Sequence, residues 1–225
     1  FREWISRWPI RKGQTQLKLV PPYEKWVLKL ITESDYSDDY WGHPSINPSA
    51  HWENFPDAPT LYVGGWYDSY ARGTFESFIG HGKGQKAPVQ VLVGPWVHGS
   101  VTTEQSFAGD IEFGEDAALP SFREVHRRWF DRWIKGEAGG YEETAPIRIF
   151  VMGGGEGYKT AAGRIMHGGA WRDEYEWPLA RTVFTSFFLN ENGSLTTKEP
   201  AEKESMTTYR YDPSNPVPSI GGNVS

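Results

Sequence analysis

Short apolar runs bounded by polar turns organise the middle of the chain. Leu61 to Val63 and Val89 to Val93 have the mostly apolar pattern of strands buried on both faces. Between them, Thr74 to Gly82 sets Phe75, Phe78 and Ile79 on one helical face, and Gly82 offers a stop. The connection is long enough for a right-handed crossover, which predicts two parallel strands. Parallel neighbours end on the same sheet edge, about 5 Å apart. The loops that follow them, carrying Asp68 and His98, are therefore expected to face each other.

Other elements follow from the same patterning. Pro21-Pro22 opens a helix running from Tyr23 to Glu33, with Trp26, Val27, Leu30 and Ile31 as its apolar stripe. Ser121-Phe-Arg-Glu124 is a capping box. The helix it starts carries Phe122, Val125, Trp129 and Trp133 on a face expected to pack on the sheet, and it stops at Gly136. Pro146 to Met152 reads as a further strand, residues 99 to 120 as a polar loop, and 156 to 178 as a loop with Trp171 to Pro178 as an aromatic anchor. Gly153-Gly-Gly155 reads as a turn, because no Gly-Lys-Ser/Thr follows. After Pro178 the chain becomes β-rich: Thr182 to Leu189, a turn at Asn192-Gly193, and Thr207 to Tyr211 are the expected pieces of an all-β segment.

Composition narrows the function classes. The 225 residues carry a net charge of -6, which is no footprint for nucleic acid. With no cysteine there is no disulfide, thiol nucleophile or thiolate metal site. No apolar run reaches the length of a membrane span, and no signal peptide is visible. The six histidines show no ligand spacing, so no metal and no cofactor are expected. The 11 Trp, 11 Tyr and 12 Phe describe an aromatic-packed globular chain.

Two places carry candidate chemistry. A strand-end aspartate followed by a strand-end histidine matches the order of the last two members of a hydrolase triad. The carboxylate fixes the imidazole tautomer and leaves the other ring nitrogen to take a proton from a nucleophile. An aspartate after a strand is more often a turn residue or helix cap, and a histidine after Gly-Pro-Trp more often structural, so spacing alone leaves both readings open. Asp35, Asp38 and Asp39 form an acidic stretch that suits a substrate ammonium group, although such a stretch is more often a solvated loop of capping aspartates.

Taken together, several motifs resemble one family. They are Gly65-Trp66-Tyr67-Asp68, Gly94-Pro95-Trp96-Val97-His98-Gly99, Trp129-Phe-Asp-Arg-Trp133, Arg148-Ile-Phe-Val-Met-Gly153, Trp171-Arg-Asp-Glu-Tyr-Glu-Trp-Pro178 and Tyr211-Asp-Pro-Ser-Asn-Pro-Val-Pro-Ser-Ile-Gly-Gly222. The chain is similar to the CocE/NonD serine hydrolases, a group of cocaine esterase, X-Pro dipeptidyl-peptidase and α-amino acid ester hydrolase type. The resemblance implies an α/β fold. Residues 1–50 would end a helical cap, 51–178 form the C-terminal half of an α/β-hydrolase domain, and 179–225 open a jelly-roll domain. It makes Asp68 the triad acid and His98 the base, and it sets Tyr70 in the acyl pocket. The implied substrates are small acyl esters, α-amino acid esters or X-Pro dipeptides.

One departure stands out. No Gly-x-Ser-x-Gly occurs in the sequence, and Ser69 and Ser100, beside the two candidate residues, lack its glycine flanks. The chain alone is therefore expected to be inactive. Candidate partners are the N-terminal part of the same protein or a second copy, with neither nucleic acid nor membrane expected. The compartment stays open between bacterial cytoplasm and secretion. The competing reading is a serine-less binding module that keeps the hydrolase fold.

Overall fold

The computed structural model describes residues 9–33, 40–138, 144–200, 206 and 208–217. The chain divides into two units, Phe1–Phe55 and Pro56–Ser225.

In the first unit, helix α1 (Pro21–Thr32) begins with proline at its first positions, where a missing N–H costs nothing. Its buried residue is Glu24, not its apolar stripe. The Glu24 carboxylate accepts from Gly13 N at 2.7 Å, while Trp26 and Ile31 stay exposed. The helix thus forms where the spacing predicts, but its stripe is not a core face among the described residues. The indole of Trp26 instead donates to Tyr40 Oη at 2.8 Å.

The second unit is built on a four-stranded sheet whose members, in spatial order, are β1 (Thr60–Gly65), β2 (Val89–Gly94), β5 (Ile147–Met152) and β7 (Gly169–Glu174). Strands β1 and β2 are parallel and in register from Thr60↔Val89 to Gly65↔Gly94. Helix α2 (Ala71–Gly82) crosses between them. Its Phe75 and Phe78 pack with Tyr62, Val91, Val93, Ile147 and Ile149 as the larger core cluster. These alternate positions line one sheet face because strand side chains repeat every two residues. On the opposite face Phe150 gathers Ala108, Phe113 and Ala117.

Residues 99–120 depart from the expected loop. They contain a short 3-10 helix (Ser100–Glu104) and the two-residue strands β3 (Phe107–Ala108) and β4 (Ile111–Glu112). Strand β4 pairs parallel with β6 (Ile165–Met166), which lies far along the chain. Phe113 and Ala117 are buried in this segment. Two-residue strands leave no periodic signal, and their partners are non-local.

Strand β5 lies parallel to β2. Trp171 to Glu174, expected in a loop, belong to strand β7, which pairs antiparallel along all of β5. Alternating charge disguises it: Arg172 and Asp173 suit an exposed edge strand, and Asp173 lies 3.6 Å from Arg148 of β5.

Helix α3 (Phe122–Phe130) starts at the expected cap, with Ser121 Oγ accepting from Glu124 N at 3.4 Å. It continues as a wider π-helical turn, Asp131–Lys135, and ends at Gly136 in the left-handed conformation. Trp129 is buried. A cavity of about 600 Å³ separates the start of the helix from the sheet, between Ser121 and Val125 on one side and Leu61, Leu92 and Arg148 on the other. Packing of the helix on the sheet is therefore partial. Beyond β7, β8 (Phe188–Leu189) and β9 (Leu195–Thr196) form a hairpin around Asn192-Gly193. Residues 208–211 are not in a strand, and most of the β-rich run from Thr182 is not either. Strands need a hydrogen-bonded neighbour, and this segment has only the hairpin's own two among the described residues.

Two expectations follow. A Cβ at Gly65 would collide with the Trp96 carbonyl, and one at Gly94 with the Trp96 ring, whereas Gly73 in α2 has nothing within 4 Å. Gly65→Ala and Gly94→Ala should each cost about 2–3 kcal/mol or more. Gly73→Ala should be neutral or stabilising by about 0.5–1 kcal/mol. Urea unfolding of the three variants checks that order. Asp131 accepts from Lys135 Nζ at 2.6 Å and from Arg127. The Lys135 hydrogen bond, with help from Arg127, holds its carboxyl below the usual range. A depressed folded pKa stabilises above the unfolded value of about 3.9, and that stability is lost as pH falls through the folded value. Asp131→Asn should therefore be less stable than wild type at neutral pH, and the gap should close at strongly acid pH.

Candidate active site

The parallel pairing of β1 and β2 sends both following loops out of one sheet edge, where open α/β sheets keep their ligand sites. Backbone hydrogen bonds then continue past the strands. Trp66 N donates to Gly94 O at 2.9 Å, and Tyr67 N to Trp96 O at 3.1 Å. The two tryptophans hold the loops from below. The Trp66 indole donates to Phe150 O at 2.7 Å and stacks on Phe75 at 5.5 Å. The buried Trp96 indole donates to Ala117 O at 3.0 Å. Burial pushes the neighbouring Tyr67 phenol above its ordinary pKa.

On this frame His98 Nδ1 lies 3.0 Å from Asp68 Oδ2. The Asp68 side chain is 13% exposed and that of His98 52%, so the acid is sheltered and the ring reaches solvent. An ionised carboxylate only accepts, which places the proton of a neutral ring on Nδ1 and leaves Nε2 able to take another. The second carboxylate oxygen is engaged elsewhere, because Oδ1 accepts from Tyr70 N at 2.8 Å, just ahead of α2. Asp68 is thus a turn residue at a helix start and a histidine partner at once, one oxygen to each. A carboxylate there is also favoured by the positive end of the helix dipole.

The third expected residue is beside this pair. The ring of Tyr70 lies 5.3 Å from the His98 ring at 54°, and the residue is exposed. Asp35, Asp38 and Asp39 lie outside the described residues. Patterning did not flag the backbone partners that hold Asp68 in place, the amide of Tyr70 and the tie from Tyr67 to Trp96. The Asp-x-Tyr spacing before a helix is a short-range turn signal that could have found the first; the second depends on strand register and leaves no sequence signal. The cavity beside α3 includes neither Asp68 nor His98.

Comparison with known proteins follows the same lines. A family described as X-Pro dipeptidyl-peptidase (S15 family) matches residues 4–100, a span that includes both loops. Cocaine esterase from Rhodococcus sp. (strain MB1 Bresler) is 30% identical over 219 residues, covering 92% of this chain and 33% of the esterase. Among solved structures, an aminopeptidase from a marine sediment Thaumarchaeota archaeon superposes with a TM-score of 0.61 at 22% identity, over 90% of this chain and 30% of its own. An α-amino acid ester hydrolase gives 0.61 at 22% identity, over 90% of this chain and 32% of its own. The chain spans about a third of the length of these relatives. With its mixed α/β sheet and these likenesses, the chain is similar to the CocE/NonD hydrolases and shares their α/β fold over the part it spans.

Proposed function

We propose that Asp68 and His98 are the acid and base of a Ser-His-Asp triad that cleaves ester or amide bonds. The observation that supports this most directly is the 3.0 Å contact between His98 Nδ1 and Asp68 Oδ2, on loops that leave adjacent parallel strands. The nucleophile is a serine outside these 225 residues, since no Gly-x-Ser-x-Gly is present in them. In the complete site His98 Nε2 takes the hydroxyl proton as the serine oxygen bonds to the carbonyl carbon. The tetrahedral adduct collapses, and the imidazolium gives that proton to the leaving alcohol or amine. Water then repeats the sequence, with His98 as base again, and releases the acid. Asp68 stays ionised throughout and stabilises the imidazolium.

Substrate preference belongs to the same proposal. Tyr70, exposed beside the imidazole, lines the acyl side of the scissile bond. Asp38 and Asp39 bind the ammonium group of an α-amino acid ester or of a peptide N-terminus. Two similar structures, named as an aminopeptidase and an α-amino acid ester hydrolase, support an amine-bearing substrate. Residues 1–50 end a helical cap and 179–225 open a jelly-roll segment in this reading.

A fluorophosphonate probe should leave this chain unlabelled and should label the serine of a polypeptide that carries both the elbow and this segment. Stoichiometric labelling of Ser69 or Ser100 would overturn the assignment. In the serine-bearing protein, Asp68→Asn and His98→Ala should each lower kcat by roughly 10⁴-fold or more, with little change in KM. Replacing Asp38 and Asp39 by Asn should raise KM for amino-ester substrates and leave simple acyl esters unaffected. Equal effects on both substrates would remove the ammonium role.

A further inference from the structure

His98 is half exposed, so packing does little to orient its ring. Its place is set by the Asp68 bond at one end and by its own backbone at the other. That backbone is bracketed by one hydroxyl. Thr102 Oγ1 lies 2.8 Å from Val97 O and 2.6 Å from Gly99 O, the carbonyls of the residues on either side of His98. Its single proton is shared between the two acceptors or alternates between them. Thr102 N also donates to Gly99 O, at 3.1 Å. Gly99 sits at φ 110°, a conformation that side chains disfavour, so the chain turns sharply right after the histidine.

The bracket is itself anchored. Val97 packs against the cluster of Phe113, Ala108 and Ala117. The short helix that holds Thr102 is pinned by Thr103, whose hydroxyl donates to Ser100 O at 2.6 Å and whose carbonyl accepts from Leu119 N at 2.7 Å. Glu104 Oε1 accepts from Phe122 N, at 2.8 Å, at the start of α3. This hydrogen-bonded platform therefore ends in one hydroxyl that grips the carbonyls of Val97 and Gly99, the residues on either side of His98.

We propose that Thr102 is a positioning residue for His98: its hydroxyl holds the histidine backbone so that Nδ1 stays on the Asp68 carboxylate and Nε2 faces outward. This rests on the triad reading given above. The requirement is for the hydroxyl, not for the volume of the side chain. Valine, which has the same shape but no hydroxyl, should release the loop, and serine should keep it.

The test reads the imidazole directly. The 225-residue chain is labelled with ¹⁵N at histidine, and two-bond ¹H–¹⁵N correlations report the tautomer of the neutral His98 ring. Wild type should show the Nδ1–H form almost alone. In Thr102→Val that form should fall to about half of the molecules, while the amide spectrum away from the loop stays unchanged. Thr102→Ser should restore it. In the serine-bearing protein, Thr102→Val should lower kcat by about ten- to a hundredfold with KM held, again rescued by serine. A wild-type tautomer kept in Thr102→Val overturns the proposal and leaves the Asp68–His98 pair standing. If wild type itself lacks the Nδ1–H form, it is the pair that fails. Should the valine variant not fold, the wild-type Thr102 hydroxyl proton decides: slow exchange with water supports the bracket, and exchange as fast as a free hydroxyl overturns it.

Discussion

Everything at the candidate site depends on how closely the backbone after β1 approaches the backbone after β2. The parallel ladder does not stop at the last strand residues. It runs on through Trp66 N to Gly94 O and Tyr67 N to Trp96 O, so the two loops are one hydrogen-bonded unit before any side chain meets another. Glycine at 65 permits that approach, because a Cβ there would strike the Trp96 carbonyl, and glycine at 94 leaves room for the Trp96 ring to fold back beneath its own loop. The acid and the imidazole then meet with little conformational freedom left to lose, which is the condition for a preorganised proton-transfer pair.

The aromatic residues serve this arrangement mainly from beneath. Trp66 and Phe75 stack beside Trp177, which itself lies 4.2 Å from Phe75. Trp96 contacts Trp171 of β7 at 5.7 Å. The indole N–H groups of Trp66, Trp96 and Trp171 are each matched to a backbone carbonyl, so these large side chains bring no orphaned donor into the core. The edge strand β7 reaches the rim of the site through those rings, although none of its residues lines the pair.

What could be read from the sequence follows the range of the forces involved. Strands β1 and β2, helix α2 and the capping box at Ser121 are local patterns, and the structure has them where the spacing puts them. The family motifs point to Asp68, Tyr70 and His98, and the structure brings these three together. Strand β7 was hidden by its charges, and β3, β4 and β6 by their two-residue length. The α1 stripe is legible as a helix but not as a buried face, because burial depends on what covers it. Thr102 looks like any polar loop residue until the two carbonyls around His98 are seen to converge on it.

The division of labour within the Asp68 carboxylate has a consequence for which residues the position tolerates. Its two oxygens each take a different N–H, one from the imidazole and one from the main chain at the helix start. A side-chain amide of the same shape has only one acceptor oxygen, so its NH₂ either faces the main-chain donor of the turn or donates to the ring and holds it in the Nε2–H tautomer. Asparagine must therefore forfeit either the turn or the Nδ1–H tautomer that leaves Nε2 free to act as base. Glutamate keeps both oxygens but carries them one methylene further from a backbone already spent on holding them. The position is thus specified by acceptor count and reach together, and charge alone does not define it.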